Sequence, residues 1–448
     1  MPGLSHGGSK AKAQDMSESY QASLIYLYGL QKHGIKLGLE TIRRLLAQCH
    51  HPEHQFQVLH IGGTNGKGSA AAMTASILQA ANIRVGLYTS PHLIDFRERI
   101  QVQGEQISES RVVDLVKRFH VSPSATSSPT FFETATAMAF KYFAEEKVEV
   151  AVVEVGLGGR FDATNVCHPS GVLVTNVSWD HEAYLGDTIE SIAYEKAGII
   201  KPGVPVVIGP MEQGAQTVIR QRAHENNATI CQYGHDFTVN VQDGGMFEYR
   251  GVTHEYSNLP CALKGSHQFV NAACAMALIE SSVMPHRAIP RKAIIQGLSA
   301  VRWEGRLETL MTHPLMVCDG AHNPAAAKIL AHELEAMIGE WPGRKLILIL
   351  AMMQDKNIEA CLAAWLPLAH IVICTQIEHA RSATVYQLKD TINQEGVSVH
   401  GVETPSDAVA LATRLSDPQD LICVTGSLFL VGAVKSMLAG SRYAPIVG

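Results

Sequence analysis

The stretch Gln57-Val58-Leu59-His60-Ile61-Gly62-Gly63-Thr64-Asn65-Gly66-Lys67-Gly68-Ser69 decides the fold, because an apolar run passes through a glycine-rich turn directly into a helix pattern over residues 70–81. A strand, a glycine-rich turn and a helix in this order form the context that a phosphate loop requires. Glycines let backbone N–H groups approach phosphate oxygens, and the N-terminus of the following helix adds partial positive charge. The stretch therefore predicts a phosphate-binding loop.

This loop differs from the common P-loop pattern at two positions. Ile61 stands where that pattern begins with glycine, and Gly68 separates Lys67 from Ser69. We expect Lys67 to bridge the β- and γ-phosphates of a nucleotide, and Ser69, or a water that it holds, to face a magnesium ion. The alternative is a glycine-rich turn that contains a lysine without binding phosphate, but the flanking strand and helix favour phosphate binding.

Strand and helix patterns alternate along the chain after the loop. Strands are predicted over residues 57–61, 84–88, 148–155, 171–177 and 204–208, and helices over residues 132–145 and 189–198. This βαβ rhythm predicts a mostly parallel sheet covered by helices. Residues 237–256, with alternating short runs around Asp243-Gly244-Gly245, interrupt the rhythm and predict a small antiparallel hairpin region.

A second α/β rhythm begins after Arg306, with strand patterns over residues 315–318, 346–351, 371–374 and 421–424. The length of 448 residues also favours two domains over one core. We therefore predict an α/β protein with a disordered tail over residues 1–18, a P-loop ATPase-like domain over residues 19–300, and a C-terminal Rossmann-like α/β domain over residues 307–448.

The composition narrows the class of protein. Hydrophobic residues make up 46% and charged residues 17% of the chain, as in soluble globular proteins. No apolar run reaches the length of a membrane span, and the net charge of −6 argues against broad nucleic-acid binding. The nine cysteines include no Cys-x-x-Cys pair, which indicates reduced thiols. We expect a cytoplasmic monomer that binds small molecules and neither nucleic acid nor membranes.

The loop sequence Gly63-Thr64-Asn65-Gly66-Lys67-Gly68-Ser69 is a signature of the Mur ligase superfamily, and within it the chain closely resembles the folylpolyglutamate synthase/dihydrofolate synthase family. The resemblance covers residues 35–432. Further motifs follow in the same order, among them Thr89-Ser90-Pro91-His92-Leu93, Glu154-Val155-Gly156-Leu157-Gly158-Gly159-Arg160 and Asp319-Gly320-Ala321-His322-Asn323-Pro324, with others at residues 98–100, 162–165, 180–181, 195–199, 265–271, 305–306 and 425–427. Such an ordered set is far more specific than one motif.

This resemblance implies an ATP-dependent ligase that adds L-glutamate to dihydropteroate, forming dihydrofolate, and to folyl(poly)glutamates. A substrate carboxylate would attack the γ-phosphate of ATP, and the amine of glutamate would then attack the acyl phosphate, so that ADP and phosphate are released. The C-terminal domain would close over ATP and supply part of the glutamate site. The alternative within the family is an enzyme with folylpolyglutamate synthase activity alone.

The resemblance further implies Mg²⁺, two ions in all, and allows for a monovalent cation. It assigns metal binding to Ser90, Glu154, His181 and Lys196, the last as a carbamoylated lysine. Glu154 also ends a buried strand, at the edge where α/β sheets place their sites. The alternatives are a capping carboxylate at Glu154, a turn residue at Ser90, an ordinary loop histidine at His181 and an exposed helix lysine at Lys196.

The remaining implied roles concern ATP, catalysis and the pterin. The resemblance assigns ATP binding to Thr64, Asn65, Gly66, Lys67, Gly68, Ser69, Asn271, Arg306 and Asp319. It assigns catalytic roles to Lys67, Lys196 and His322. It assigns pterin binding to Leu37, Gly38, Thr130, Phe132, Asp162 and Ala163. Asp319 has the alternative of a helix N-cap, and His322 that of a domain-interface residue. Phe132 is either a stacking face for the pterin or the apolar start of a helix.

Three rival functions remain. A Mur ligase of cell-wall synthesis shares the ATP chemistry, but the motif from Glu154 to Asn165 and the lack of a separate UDP-binding domain disfavour it. A phosphate-loop kinase or GTPase switch requires neither the second α/β domain nor Lys196. A regulatory nucleotide-binding module without catalysis would not need Lys67, Glu154, His181 and Lys196 together.

Overall fold

The strand that leads into the glycine-rich loop lies inside an eight-stranded sheet. The computed structural model describes residues 8–34, 38–120, 128–282, 288–392 and 395–440. The strands of this sheet are β1 Gln57–Gly62, β2 Val85–Tyr88, β3 Ile100–Val102, β4 Glu105–Gln106, β5 Val150–Glu154, β6 Gly171–Val174, β7 Val206–Ile208 and β8 Ile230–Gln232. Their order is β4-β3-β2-β5-β1-β6-β7-β8, and all pairings from β2 to β8 are parallel.

Helices pack on both faces of this sheet because its central strands are apolar on both sides. Along β1, Val58 packs with one hydrophobic cluster while Leu59 and Ile61 pack with another. Successive side chains of a strand point to opposite faces, so the two clusters form two core layers. The helices of this half are α1 Gly8–Gly29, α2 Glu40–Ala47, α3 Lys67–Ala80, α4 Glu109–Phe119, α5 Phe131–Glu145, α6 Glu182–Leu185, α7 Ile189–Ala197, α8 Gln213–Glu225, α9 His267–Ser281 and α10 Arg291–Ala300.

The predicted hairpin region is confirmed as a separate three-stranded antiparallel sheet. It consists of β9 Thr238–Gln242, β10 Met246–Arg250 and β11 Glu255–Pro260, in the order β11-β10-β9. The turn between β9 and β10 contains Gly244 and Gly245, which both have φ 75°. Glycine adopts this left-handed conformation without the steric cost that other residues incur.

A six-stranded sheet forms the C-terminal domain. Its strands are β12 Glu308–Thr312, β13 Leu315–Cys318, β14 Leu346–Leu350, β15 Ile371–Cys374, β16 Ser398–Gly401 and β17 Leu421–Thr425, in the order β12-β13-β17-β14-β15-β16. The β12–β13 pair is antiparallel and the other pairs are parallel. The helices are α11 Pro324–Gly339, α12 Ile358–Trp365, α13 Val385–Thr391, α14 Pro405–Leu415 and α15 Leu428–Leu438. The predicted fold of two α/β domains is confirmed.

Two further sequence predictions concern the termini and the membrane. Helix α1 begins at Gly8, inside the stretch predicted as a disordered tail over residues 1–18. The disorder of that tail and the start of the first domain at residue 19 stay predictions. Residues 1–7 lie outside the described residues. Among the described helices, none has both the length and the apolar character that a membrane crossing requires.

Candidate active site

The glycine-rich loop joins the carboxyl end of β1 to the N-terminus of α3, and two of its glycines are fixed by close neighbours. Gly66 precedes α3 with φ 81°, and a Cβ atom there would collide with the amide of Asn271. Gly63 has φ 135°, and its Cβ would overlap the hydroxyl of Thr175. No side chain caps α3. The N–H groups of its first turn are therefore left for an anion.

Side chains of the loop anchor it to the segment after β6. The hydroxyl of Thr64 donates to the carbonyl of Ser178 at 3.2 Å and accepts the N–H of the same residue at 3.0 Å. The N–H of Asn65 donates to Asn176 Oδ1 at 3.0 Å. Lys67 Nζ donates to the carbonyl of Thr64 at 2.9 Å. The lysine is thus held beside the loop by a neutral carbonyl rather than by a carboxylate.

A buried carboxylate lies across from this lysine. Glu154, the last residue of β5, is 4% exposed, and its Oε2 accepts the N–H of Ser90 at 3.0 Å. Burial raises the pKa of Glu154, against the opposing influence of Lys67. Carboxylate and hydroxyl oxygens are the donors that Mg²⁺ prefers. Glu154 and the Ser90 hydroxyl therefore suit a magnesium ion that takes further oxygens from phosphate and water.

His181 lies in the same cleft with its ring in a form that can bind a metal. It precedes α6 in the left-handed conformation, with φ 54°. Burial lowers its pKa to about 4, so the ring is neutral at neutral pH. Within the described chain, Glu154 and His181 are not part of a compact group of three His, Cys, Asp or Glu ligands. A metal here would need ligands from the substrate, which is how Mg²⁺ is usually bound in phosphate-handling enzymes.

Lys196 is buried, so its alternative as an exposed helix lysine is wrong. It lies in the last turn of α7 and is 5% exposed, whereas the nearby Tyr194 is 50% exposed. Its Nζ donates to the carbonyl of Gly63 at 2.9 Å. Burial, helped by the ammonium of Lys67, lowers the pKa of Lys196 to about 7. A lysine whose pKa falls this far is in part a neutral amine at neutral pH, and the neutral amine is the form that reacts with carbon dioxide.

The C-terminal domain contributes the opposite wall of the cleft. Asp319 follows β13, and its carboxylate accepts the N–H groups of Leu307 at 2.9 Å and Ala321 at 2.8 Å. The N-cap of α11 is Asn323, whose side chain accepts the N–H of Ala326. The alternative of Asp319 as that N-cap is therefore wrong. Arg306 Nη1 donates to the carbonyl of Gly305 at 3.1 Å, and its guanidinium lines the cleft.

Asp180 connects the two domains at the floor of the cleft. Lys356 Nζ lies 2.6 Å from Asp180 Oδ1, and the side chains of both are about one tenth exposed. Asn323 Nδ2 donates to Asp180 Oδ2 at 3.2 Å, and His322 Nε2 lies 3.8 Å from the same oxygen. Burial would raise the pKa of Asp180, but His181, His322 and Lys356 together hold it well below its usual range. The carboxylate is thus ionised at the domain interface.

A second interdomain contact involves the phosphate loop itself. Asn323 Nδ2 donates to Asn65 Oδ1 at 3.0 Å, and Asn65 Nδ2 donates to Asn323 Oδ1 at 3.2 Å. Each amide is both donor and acceptor, so the pair fixes the orientation of both side chains. The residue that caps α11 therefore also contacts the glycine-rich loop between β1 and α3.

Every residue predicted for ATP, metal or catalysis lines this one cleft, namely Thr64, Asn65, Gly66, Lys67, Gly68, Ser69, Ser90, Glu154, His181, Lys196, Asn271, Arg306, Asp319 and His322. His322 Nδ1 lies 2.7 Å from the carbonyl of Gly320, so this nitrogen carries the proton when the ring is neutral. Burial lowers the pKa of His322, which favours that neutral ring. Its place between the domains agrees with both of its predicted roles.

The residues predicted for the pterin that the structure describes, namely Gly38, Thr130, Phe132, Asp162 and Ala163, are not among those that line the cleft. Phe132 packs against Gly156, which does line the cleft. Thr130 caps α5 through a reciprocal pair of hydrogen bonds with Glu133. Gly38 has φ 124° and lies at the start of the segment that leads to α2. Leu37 lies outside the described residues.

Asp162 and Ala163 belong to a buried turn next to this group. Asp162 Oδ2 accepts the N–H of Leu157 at 2.9 Å, and Oδ1 accepts both the N–H and the hydroxyl of Thr164. Ala163 is 5% exposed at the start of a short 3₁₀ helix. The carboxylate of Asp162 thus already stabilises its own loop.

Sequence reasoning missed Asp180, Asn323 and Lys356 as site residues. Asp180 and Asn323 stand inside motifs that were noted without a role for either side chain. Lys356 follows β14, at the carboxyl edge of the second sheet, where α/β folds place ligands. That position was the one available signal for Lys356.

Comparisons with known proteins agree with this geometry. Residues 61–279 match the Mur ligase middle domain, and residues 305–428 match the Mur ligase glutamate ligase domain. The dihydrofolate synthase/folylpolyglutamate synthase of Bacillus subtilis is 34% identical over 435 residues, which cover 94% of this chain and 100% of that protein.

Two solved structures extend the likeness to three dimensions. E. coli FolC in complex with DHPP and ADP superposes with a TM-score of 0.85 at 30% identity, covering 94% of this chain and 98% of that one. The bifunctional folylpolyglutamate synthase/dihydrofolate synthase of Yersinia pestis, complexed with AMPPNP and a Mn ion, gives a TM-score of 0.83 at 31% identity over 94% and 98% of the two chains. This chain therefore belongs to the folylpolyglutamate synthase/dihydrofolate synthase family of ATP-dependent Mur ligases.

Proposed function

We propose that this protein adds L-glutamate both to dihydropteroate, forming dihydrofolate, and to folyl(poly)glutamates, using ATP and an acyl-phosphate intermediate. The observation that carries the proposal is a single cleft in which Lys67, Glu154 and Lys196 of one domain face Arg306 and Asp319 of the other. Such a cleft brings cations, a metal-binding carboxylate and two domains around a polyphosphate. The alternatives are folylpolyglutamate synthase activity alone and a Mur-type cell-wall ligase.

ATP is proposed to bind with its phosphates at the N-terminus of α3. The uncapped N–H groups of that helix and the ammonium of Lys67 would hold the β- and γ-phosphates. Lys67 can turn toward phosphate at little cost, because it gives up only a hydrogen bond to the carbonyl of Thr64. Arg306 would clamp phosphate with its fixed fork of donors. Asn271 and Asp319 would hold the rest of the nucleotide.

Divalent metal binding is proposed for Glu154, Ser90 and His181, and we extend it to two Mg²⁺ ions with Lys196 as a carbamoylated ligand. When bound, the metal would offset the repulsion between ATP and the substrate carboxylate. Carbamoylation would turn the amine of Lys196 into an anion beside the loop. The lowered pKa and the burial of Lys196 support this modification. A monovalent cation remains an expectation to which we assign no residues.

The reaction then needs positioning more than chemical groups from the protein. An acceptor carboxylate oxygen bonds to the γ-phosphorus as the bond to ADP breaks. The amine of glutamate next bonds to the acyl carbon, phosphate leaves with the former carboxylate oxygen, and the amine loses a proton. Closure of the C-terminal domain through Asp180, Lys356 and His322 would keep water from the acyl phosphate. We propose His322 as a positioning residue at this interface.

The pterin is proposed to bind beside Gly156, between the start of α5 and the turn that contains Asp162 and Ala163. Phe132 is only partly buried and packs against Gly156, so its ring can offer a stacking face at the edge of the cleft. Thr130 caps the helix that carries Phe132. Gly38 and Leu37 would complete the pocket from the N-terminal segment.

A paired assay tests the proposal. The enzyme is supplied with dihydropteroate, glutamate, ATP and magnesium, and in a second reaction with a reduced folate monoglutamate in place of dihydropteroate; phosphate release and glutamylated product are measured in both. We expect product in both reactions. Extension of the folate alone would leave a folylpolyglutamate synthase, and activity only with a UDP-linked peptide acceptor would favour a cell-wall ligase.

We further propose that the protein acts as a cytoplasmic monomer, with domains over residues 19–300 and 307–448. The described cysteines are all free thiols, eight of them buried, which suits a reducing compartment. Sedimentation of the purified protein over a range of concentrations tests the monomer, and limited proteolysis near residues 300–307 tests the boundary.

A further inference from the structure

A compact group of metal-ligand side chains lies at the end of β1 that is remote from the phosphate loop. His51, Glu53 and His54 shortly precede β1, whereas the loop follows it. One ligand atom from each of the three lies within 4.8 Å of the others. We propose that His51, Glu53 and His54 form a binding site for a divalent transition-metal ion of the zinc class.

The distances within this His-Glu-His site suit a small ion. Glu53 Oε1 lies 2.9 Å from His51 Nδ1 and 3.8 Å from His54 Nε2. Ligand atoms of a tetrahedral zinc ion, at bonds of about 2.0–2.1 Å, are separated by roughly 3.3 Å. The two observed distances lie on either side of that value. Small rotations of the exposed histidine rings would bring all three atoms around one ion.

The buried carboxylate of Glu53 is the second observation that points to a cation. Its side chain is 5% exposed, while those of His51 and His54 are 49% and 65% exposed. Among the described residues, Glu53 pairs with no lysine or arginine, and its Oε2 is buried without a hydrogen-bond partner. Its Oε1 shares a hydrogen bond with the exposed ring of His51 at 2.9 Å, which compensates the buried carboxylate only in part, and an incompletely compensated buried charge is costly. A metal ion would supply the missing positive charge and leave one side of the site open to water.

The local backbone presents these side chains together. His51 has φ 51°, and its N–H donates to the carbonyl of Leu46 at 3.0 Å, which joins it to the end of α2. Pro52 then begins a 3₁₀ helix that includes Glu53 and His54. An ion held here would connect the end of α2 with the start of β1.

The chemistry of the ligands separates this site from the active-site magnesium. Two imidazole nitrogens and one carboxylate suit Zn²⁺, Ni²⁺ or Cu²⁺, whereas the proposed magnesium site offers mainly oxygen ligands, with His181 as its one nitrogen. The six residues of β1, at about 3.3 Å each, place roughly 20 Å between the two sites. The ion should therefore stabilise the fold without entering the reaction.

The test measures zinc binding to the untagged full-length protein in excess magnesium, by competition with a chromophoric chelator. Three variants are compared with the wild type: the double variant His51→Ala/His54→Ala, the nearly isosteric Glu53→Gln, and the control His50→Ala, which removes an exposed neighbouring histidine. Loss of an outer-shell partner typically weakens metal binding by roughly 10–100-fold. We expect the double variant to lose more than that and His50→Ala to bind as the wild type does.

Two further readouts keep the result interpretable if the double variant folds poorly. Stoichiometric zinc should raise the Tm of the wild type and of His50→Ala but not that of Glu53→Gln. Ligase turnover in magnesium should be the same in the wild type, His50→Ala and Glu53→Gln. Cobalt bound to the wild type should show a tetrahedral visible spectrum that is absent in Glu53→Gln. Equal zinc affinity in the wild type and Glu53→Gln, or binding that follows only active-site residues, would overturn the proposal.

Discussion

Replacing Lys356 by methionine should open the domain interface and lower kcat/KM, while both domains stay folded. Lys356 is the cationic partner of Asp180 across the cleft, at 2.6 Å, and both side chains are about one tenth exposed. Methionine keeps much of the apolar stem of lysine and removes its charge. The perturbation is thus confined to one ion pair between the domains.

The size of the effect follows from what Asp180 would lose. Removing one partner of a buried ion pair typically costs about 3–5 kcal/mol. In the Lys356→Met variant, Asp180 still accepts hydrogen bonds from the amide of Asn323 and the backbone N–H of His181. Each of these hydrogen bonds to the charged carboxylate retains part of its stabilisation. We therefore take the lower end, about 3 kcal/mol. At about 1.36 kcal/mol per tenfold change, this predicts a loss in kcat/KM of roughly a hundredfold.

The assay is ADP release under subsaturating ATP and glutamate, with circular dichroism and Tm as controls for folding. Lys345→Met is the matched control, because Lys345 Nζ lies 3.8 Å from Asp417 in a pair whose side chains are 52% and 63% exposed. Such surface pairs contribute about 0–1 kcal/mol. A double-mutant cycle with Asp180→Asn isolates the interaction. A loss in Lys356→Met no larger than that in Lys345→Met, or no coupling in the cycle, would refute the reasoning.

Three further predictions concern single side chains. Lys67→Ala should fold normally and lose on the order of a hundredfold or more in ligation, because one preorganised phosphate contact is removed; normal turnover by the folded variant would contradict the phosphate-loop assignment. Lys196→Ala should be poorly active and partly rescued by acetate. Bicarbonate should activate the wild type more above pH 7 than below it, because the amine, with its pKa of about 7, is neutral above that pH; a bare ammonium in an active, nucleotide-bound crystal would argue against carbamoylation. Burial lowers the pKa of His60 to about 3, against 6.5 ordinarily. Below pH 6.5 the unfolded chain therefore binds a proton that the folded chain does not. The free energy of unfolding should decrease as the pH falls from 6.5 toward 3. Urea unfolding at several pH values should show a shallower decrease for His60→Gln.

The fold was predictable where a strand lies inside a sheet and pairs in parallel with a neighbour. Buried parallel strands are near-continuous apolar runs, and the predicted bounds of β13 and β15 match those observed. The edge strands β4, β8, β12 and β16 and the antiparallel strand β3 were not predicted. Glu105–Gln106 is polar and exposed, and Ser398–Gly401 has only one apolar side chain, which is partly buried, so no hydrophobic pattern marks either strand. Their pairing depends on neighbours that are distant in sequence.

The place of the candidate site in the fold was predictable where a motif carries its own context, as in the glycine-rich loop between β1 and α3. The contact of Asp180 with Lys356 joins residues 176 positions apart, and no local pattern reveals such a partner. Lys196 illustrates a different difficulty. On α7 the lysine is buried and Tyr194 is half-exposed, the reverse of what residue type alone predicts. Only the packed structure shows that this lysine lacks water.

The amide pair between Asn65 and Asn323 would couple nucleotide affinity to the arrangement of the two domains. Asn65 belongs to the loop that is proposed to bind phosphate, and Asn323 caps the first helix of the other domain. Linkage between two binding equilibria is reciprocal. Whatever factor a bound nucleotide adds to the stability of the paired amides, their pairing adds the same factor to the affinity for that nucleotide. Release of ADP would then be coupled to separation of the domains.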